Sequence, residues 1–466
     1  VENARASFYF SADYTYRKRY TGSFSFRTDG ANNFGKDEQF NPIGSIGFSW
    51  NADQESFFTA LKPVLSSLTL RTATGYTGNI VSNVYPQVIM NYSSDFRKTY
   101  EDYYRMGTIS NPPNKHLRWE KNFDYKFGMD AGFLKNRFRL VAEYYFRKTS
   151  DAVSSVRVPS SIGYTSQSIN TSELQNRGIE LSLSATLVKT KDFSWNTTVN
   201  MAHNLNKLTK YNPSVNSLPS SVGNYLNYPV NSMFGGKVVG INPETGIYTY
   251  QLRPDVTANS DKEKRDSENY MFYLGTSNAP ISGGFNMRFA YKELSLSVSG
   301  VYFMHAKVIN NLSAPKGYSS LSEFKTNTGA SNDYYTQEND LYRYHFNASR
   351  DARNRWTPDN PRTDANPRII DAFGDPLYLY MSNPTSYNIT KGSLLEDVSY
   401  LKVSSLSLFY SLPASLYRLR QIQSISLSLS VNNLFSLTNY TGIDPETPGA
   451  VYPMSRTYSF GVNLSF

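Results

Sequence analysis

The most constraining feature of this sequence is a strict alternation of apolar and polar residues that returns along the whole chain. In the last nine residues, small or polar residues separate five apolar ones, which are Tyr458, Phe460, Val462, Leu464 and Phe466. A period of two places alternate side chains on opposite faces of a β-strand. The segment is therefore predicted to be a strand whose two faces meet different environments.

The same alternation recurs in pairs of segments that are joined by short turns. The pairs occupy residues 8–26, 123–146, 179–201, 285–302 and 400–431. Two alternating runs separated by a short turn indicate a β-hairpin. In the last pair the alternation changes phase near Ser404, which predicts a β-bulge at that point.

Composition favours one large sheet over several soluble domains. Aromatic residues make up 15% of the 466 residues, with 37 Tyr and 28 Phe, whereas charged residues make up 18%. Disordered chains are poor in aromatic residues, and the sequence has no run of about 18 apolar residues that would predict a transmembrane helix. It also has no cysteine, which excludes disulfides and thiolate metal sites.

The connections between the predicted strands are alternately short and long. After each short turn comes a long polar segment, at residues 79–116, 149–173, 211–280 and 310–394. Outer-membrane barrels combine short periplasmic turns with long extracellular loops. We therefore predict an all-β fold, a transmembrane antiparallel β-barrel in the bacterial outer membrane, with the short turns in the periplasm and the long segments at the cell surface.

The alternating segments amount to about thirteen strands, an odd number. An antiparallel barrel with both ends in the periplasm needs an even number, and an open sheet edge cannot face lipid. We therefore expect residues 1–466 to form the C-terminal part of one barrel domain whose first strands are absent, and we expect this part alone not to close. The final strand should pair with Val431 and its neighbours on one edge.

Seven short motifs lie at defined places on the predicted strands and loops. In chain order they are FRTDG at 26–30 followed by Phe34-Gly35, RTATGYTGN at 71–79, WEK at 119–121 with FGMD at 127–130, YYFRKTSD at 144–151, NRGIE at 176–180, GINPETG at 240–246 and VNNLF at 431–435. In this order they resemble the motifs of the SusC/RagA family of TonB-dependent outer-membrane transporters. Residues 41–43 and Asn242 depart from the family pattern, which indicates a divergent branch.

The resemblance implies a barrel of about 22 strands, of which this chain would supply the last thirteen. It also implies an N-terminal plug domain, absent here, through which TonB drives transport. Further implied partners are a SusD-like lipoprotein cap, the outer-membrane lipid, a cargo of oligosaccharides or short peptides, and a possible dimer of transporter–lipoprotein pairs. Phe466 resembles the C-terminal aromatic residue that the outer-membrane assembly machinery recognises.

No group of residues in the sequence predicts catalysis, a cofactor or a metal site. The four histidines are far apart, and none has a partner at metal-ligand spacing; they are His116, His203, His305 and His345. The basic residues are dispersed, so the net charge of +9 predicts no nucleic-acid partner. We expect that the protein is not an enzyme.

The segment 310–394 contains a group of aromatic and arginine residues that could contact a ligand. Aromatic faces pack on sugar rings or peptide side chains, and arginine binds carboxylates and hydroxyls. The same residues could instead form the core of the loop or dock the lipoprotein cap, because interfaces are rich in Tyr, Trp and Arg. The candidates are Tyr334, Tyr335, Tyr342, Tyr344, Arg353 and Trp356.

Two kinds of function fit this sequence. The first is an active importer of oligosaccharides or short peptides that is driven by TonB through the absent plug. The second is a passive porin-like barrel, or a structural or adhesive one, without energy coupling. A plug domain with a TonB box upstream of Val1 would distinguish the first function from the second.

Overall fold

The structure of this protein is a computed structural model. It describes residues 4–32, 34–35, 38–81, 85–92, 99–100, 104–105, 107–211, 222–244, 246, 248–255, 267–309, 354–362, 364, 395–413, 415, 422–450 and 452–465. No helix in these ranges is long and apolar enough to span a membrane.

Two sets of strands make up the fold, thirteen long ones in a single sheet and nine short ones between them. The long strands are β1 (Arg5–Tyr16), β2 (Tyr20–Ala31), β3 (Phe40–Asn51), β4 (Leu65–Asn79), β9 (Glu120–Phe133), β10 (Phe138–Arg157), β11 (Ser166–Lys189), β12 (Phe193–Lys210), β18 (Ile281–Tyr291), β19 (Leu294–Ile309), β20 (Leu395–Ser411), β21 (Ser424–Thr438) and β22 (Thr457–Ser465). The short strands are β5 (Ile89–Tyr92), β6 (Thr99–Tyr100), β7 (Tyr104–Arg105), β8 (Gly107–Asn111), β13 (Val222–Gly223), β14 (Ser232–Gly235), β15 (Val238–Ile241), β16 (Tyr248–Tyr250) and β17 (Phe272–Thr276). Four 3₁₀ turns complete the described elements, at Ala52–Gln54, Ser56–Ala60, Ser160–Ile162 and Ser267–Tyr270.

The long strands follow one another in chain order as a thirteen-stranded antiparallel sheet. Each strand pairs with the next long strand along the chain, as in an up-and-down barrel wall. The predicted all-β architecture and the count of about thirteen strands are confirmed. The pairing of the final strand is also confirmed, since Val431 lies opposite Tyr458.

The register of the sheet keeps apolar side chains on one face and polar side chains on the other. Phe10 lies opposite Phe26, Tyr144 lies opposite Phe127, and Leu429 lies opposite Phe460. We call this side the apolar face; its side chains are exposed in the isolated chain, Phe460 to 70%. The opposite side, which carries Arg71, is called the polar face. The wall is therefore a single sheet with two different surfaces.

The predicted bulge near Ser404 is present. Ser299 pairs with Ser405 and Gly300 with Val403, so Ser404 is an extra residue of β20 relative to β19. On the other side of β20 the extra residue belongs to β21, where Asn433 has a φ of 56°. An inserted residue changes the phase of the alternation, which is why the sequence pattern shifts here.

The predicted long segment 149–173 is shorter in the structure than expected. Strands β10 and β11 continue into it and pair as far as Arg157 and Ser166, which leaves only the tip as a loop. Asp151, with a φ of 56°, lies where the register shifts between Thr149 and Ala152. Two register shifts, between Thr149 and Ala152 and between Ala152 and Val153, break the alternation here, so the sequence pattern does not show that the strands continue.

The segments 79–116 and 211–280 contain strands of their own. Strands β5 and β8 pair in the first segment, as do β6 and β7. In the second segment β13, β14 and β17 form a small sheet, and β15 pairs with β16. Phe234 and Met271 are buried among tyrosines there. Of the segment 310–394, only residues 354–362 and 364 are described.

Candidate functional site

The polar face of the sheet carries a network of paired charges on β4, β9 and β10. Arg71 lies 3.2 Å from the carboxylate of Asp130 and 3.6 Å from that of Glu143. The ammonium of Lys126 donates to the other oxygen of Glu143 at 3.0 Å. Gly128 lies between Arg71 and Glu143 in the register, and a Cβ at this position would come within 2.5 Å of Nε of Arg71. The glycine therefore leaves the space in which Arg71 reaches Glu143.

Next to these charges, uncharged hydrogen-bonding groups cover the polar face of β10, β11 and β12. The hydroxyl of Tyr145 donates to Oδ1 of Asn204 at 2.9 Å. The amide groups of Asn204 and Asn206 both donate to Oδ1 of Asn176, at 3.3 Å and 2.8 Å. Paired hydroxyls continue this surface on other strands, at 2.7 Å in both the Ser25–Ser45 pair and the Ser299–Ser405 pair. Such a wall can exchange hydrogen bonds with a polar solute or a polar protein segment.

Residues from the motifs noted in the sequence meet in a second site at the long-loop end of the sheet, which we call the motif cluster. Phe34 stacks on Trp119 with ring centroids 4.8 Å apart, and both pack with Ala31 and Leu117 in one buried group. The indole N–H of Trp119 donates to the carbonyl of Gln39 at 3.2 Å. The motifs at 26–35 and 119–121, far apart in sequence, are thus in direct contact.

Polar groups of the motif cluster tie it to the extended ends of β4 and β10. Glu120 accepts hydrogen bonds from Nδ2 of Asn79 at 2.7 Å and from the backbone N–H of Val153 at 2.9 Å. The guanidinium of Arg118 donates to Asp151 at 2.6 Å, and this hydrogen bond raises the pKa of Arg118 above its usual value. One carboxylate therefore joins three strands, and the contact with Asp151 keeps Arg118 charged.

Gly35 allows the segment that precedes Trp119 to pack closely against the backbone at position 35. Its N–H donates to the carbonyl of Leu117 at 2.9 Å, and a Cβ here would lie 1.8 Å from the carbonyl oxygen of Lys115. We expect Gly35→Ala to destabilise the motif cluster by about 1–3 kcal/mol, because the backbone must move apart. Faster hydrogen exchange at residues 115–119 would measure this.

Gly22→Ala is the matched control for Gly35→Ala. A Cβ at Gly22 meets no atom within 4 Å, so its effect should stay within roughly 0.5 kcal/mol. Equal exchange in both variants would contradict the close packing at Gly35.

Trp356 is the predicted ligand contact whose position the structure gives. Its indole N–H donates to the carbonyl of Pro243 at 3.0 Å, and its ring lies where a Cβ of Gly246 would be, 2.3 Å away. Gly246, with a φ of 69°, closes the turn of the motif at 240–246. Trp356 is buried, so its observed role is to join two loops. Its contact with a ligand stays a prediction.

The other predicted ligand-contact residues are outside the described part of the chain. These are Tyr334, Tyr335, Tyr342, Tyr344 and Arg353. In the closing strand, Tyr458, Phe460, Val462 and Leu464 lie on the apolar face beside β21, and Phe466 is outside the described residues. Their proposed role in closure and assembly stays a prediction.

The polar face also carries an ion pair with a buried lysine, which the sequence alone did not predict. Lys402 on β20 is 5% exposed, and its ammonium donates to the carboxylate of Glu446 in the loop between β21 and β22. Within this loop Asp444 accepts the backbone N–H of Glu446 at 2.9 Å. The residues 442–447, GIDPET, nearly repeat GINPET at 240–245, and this repeat is the signal that could have located the loop.

Comparison with known proteins agrees with the geometry. The family model described as "TonB dependent receptor-like, beta-barrel" matches residues 1–242. The chain is 26% identical over 487 residues to TonB-dependent receptor SusC of Bacteroides thetaiotaomicron, with 100% of this chain and 44% of the relative covered. It is 25% identical over 502 residues to TonB-dependent receptor P3 of Formosa agariphila, with 100% and 46% covered.

Solved structures of the RagAB system are similar to the whole chain. The RagAB peptide transporter aligns with a TM-score of 0.75 at 28% identity, over 100% of this chain and 48% of that one. The RagAB peptide importer in its "closed-closed" state gives a TM-score of 0.76 at 26% identity, with the same coverage. The chain spans about half the length of the curated relatives it matches.

The matched family consists of transporters rather than enzymes, as expected from the sequence. The match of the family model covers more than half of the chain, and the similarity to SusC extends over all of it. The chain belongs to the TonB-dependent receptor-like β-barrel family of the bacterial outer membrane, and within that family it is of the SusC/RagA type.

Proposed function

We propose that this chain forms the barrel wall of an active importer that takes up oligosaccharides or short peptides through the outer membrane. The observation that carries the proposal is the similarity to SusC and to the RagAB peptide transporter over the whole chain. The wall is consistent with it, because one face is apolar and the other carries amides, hydroxyls and paired charges. In a barrel of this kind the apolar face contacts lipid and the polar face lines the lumen.

The remaining parts of the importer follow from the family. The complete protein would have further strands that close the barrel and an N-terminal plug that responds to TonB. The RagAB structures imply a partner of the RagB/SusD type for that homologue, and we propose a SusD-like surface lipoprotein for this protein too. The long-loop end, with the motif cluster, would face this lipoprotein, and two such pairs could form a dimer.

The polar face supports an uncharged polar cargo. Arg71 and Lys126 are already paired with Asp130 and Glu143, so these four charges neutralise one another. The same face carries many amides and hydroxyls, which match sugar hydroxyls and peptide bonds equally well. Oligosaccharides are the first candidate, and short peptides are the second because of the 28% identity to a peptide transporter.

Uptake with and without TonB tests this proposal. The full-length transporter and its neighbouring lipoprotein would be expressed in a strain that lacks its own copy, and uptake of labelled oligosaccharides and peptides would be measured. Uptake should be lost when TonB is deleted and should return when TonB is restored. Uptake that continues without TonB would instead support the passive porin-like barrel, and no uptake with either genotype would support the structural or adhesive one.

Isolation under mild detergent tests the partner. A lipoprotein should co-purify with the transporter, and the mass of the complex should correspond to one or two pairs. A barrel that purifies alone under these conditions would contradict the proposed cap.

A further inference from the structure

On three neighbouring strands, the side chains on the apolar face change from apolar to basic toward the long-loop end. The change lies between Phe146 and Lys148 on β10, between Ile179 and Arg177 on β11, and between Leu205 and Lys207 on β12. In each strand the two residues are two positions apart, so they share one face. The three basic residues, which we call the basic trio, therefore lie directly beyond the apolar band.

The register of the sheet brings the basic trio into one patch. Lys148 lies opposite Gln175, and Gln175 lies opposite Lys207. Arg177 is two residues from Gln175 on the same strand. Because neighbouring strands are about 4.8 Å apart, the backbones of Lys148 and Lys207 are separated by roughly 10 Å. Their long side chains and that of Arg177 can converge on one small anion.

The patch carries more positive charge than its neighbours neutralise. Lys148 pairs with Glu173 at 3.1 Å, and Glu173 also lies opposite Lys210 in the register. In the described part of the chain, neither Arg177 nor Lys207 makes an ion pair. Both are exposed on the sheet surface. An unneutralised guanidinium and ammonium at the boundary of a hydrocarbon layer favour a bound anion.

This basic surface spans β9–β12, since Lys121 on β9 also lies two residues beyond Phe123 on the same face. At the same end of the apolar face, other long strands carry uncharged side chains, among them Thr28, Pro42, Tyr76, Ile281 and Met304. A general preference for cations at the membrane edge would have placed them on these strands as well. The restriction indicates a site.

We propose that the basic trio binds the phosphorylated headgroup of a lipid in the outer leaflet of the outer membrane. Arginine and lysine form strong charge-assisted hydrogen bonds with phosphate. The surface beneath the trio is apolar and exposed, with Ile179 and Leu205 both 46% exposed, so acyl chains of the same molecule can lie on it. A free phosphate would use only the basic part, and this combination therefore favours a lipid. The site does not depend on import through the lumen.

Lipid retention by the full-length transporter tests this site. The probe is a bis-phosphorylated lipid A, compared with the same lipid after removal of its phosphates, and bound lipid is counted by native mass spectrometry. The variant Lys148→Gln/Arg177→Gln/Lys207→Gln should bind the phosphorylated lipid at least about tenfold more weakly. The control Lys62→Gln/Lys189→Gln/Lys191→Gln removes three charges at the short-turn end and should bind as the wild type does.

Three results would overturn the proposal. The first is equal binding of phosphorylated lipid by the wild type and the basic-trio variant. The second is equal binding of the lipid with and without phosphates. The third is displacement of the lipid by inorganic phosphate at similar concentration, which would assign the site to free phosphate. Retained heat-modifiable mobility on a gel shows that each variant is folded, so a loss of binding cannot be caused by unfolding.

Discussion

Replacing Trp119 by alanine is expected to open the motif cluster. Trp119 is 6% exposed, stacks on Phe34 and contacts Leu117. Removing a buried Trp typically costs about 3–5 kcal/mol. The backbone N–H of Gly35, which donates to Leu117, reports this opening, because its exchange rate follows the free energy of local unfolding. We expect exchange at Gly35 in the full-length transporter to become at least about a hundredfold faster.

Tyr452→Ala is the control for this prediction. Tyr452 is also an aromatic residue outside the long strands, but it is 82% exposed. Its removal should change local stability by no more than roughly 0.5 kcal/mol. If Trp119→Ala left exchange at Gly35 as slow as in the control, the residues of the motif cluster would not form one packing unit.

The pair formed by Lys402 and Glu446 is expected to respond unequally to loss of either partner. The side chain of Lys402 is 7% exposed and that of Glu446 is 35% exposed. In Glu446→Gln a buried ammonium loses its counter-charge, which typically costs about 3–5 kcal/mol. In Lys402→Met the remaining carboxylate can be solvated where it lies, so the cost should be nearer about 1 kcal/mol. Glu446→Gln should therefore release the loop between β21 and β22, and Lys402→Met should largely retain it.

Hydrogen exchange within that loop measures the difference. The N–H groups of residues 446 and 454 both donate to Asp444, and they should exchange faster in Glu446→Gln than in Lys402→Met. The double variant should resemble Lys402→Met, since it has no unpaired buried charge. Equal effects of the two single variants would show that the loop is held by other contacts.

The strands of the wall could be predicted because each lies between two different environments. In β9 and β10, and again in β21 and β22, one face is apolar and the other is polar. The type of every second residue therefore shows that the segment is a strand and which face the residue lies on. Even the irregularity at Ser404 was visible, because an inserted residue must shift the phase. Beyond Asp151 the register shifts twice within a few residues, so the alternation is lost and the strand was predicted to end too early.

The contacts of the candidate site could not be predicted, because they join residues that are distant in sequence. The motifs themselves were found, but nothing in them shows that Phe34 stacks on Trp119 or that Glu120 accepts from Val153. These contacts depend on how far each hairpin extends and where the loops fold back. The pairing of Lys402 could not be predicted either, since the carboxylate that pairs with it lies 44 positions later.

The most direct test of the account is a spin-label scan along β22 in the full-length transporter in liposomes. The chain has no cysteine, so single cysteines can be introduced at residues 458–463 and labelled one at a time. Oxygen collects in lipid and a nickel complex stays in water, so the ratio of their effects on each label identifies its surroundings. If the apolar face contacts lipid, the ratios are high at Tyr458, Phe460 and Val462 and low at Ser459 and Asn463. A ratio that does not alternate, or that alternates in the opposite phase, would contradict a wall with lipid on its apolar face and a polar lumen on the other.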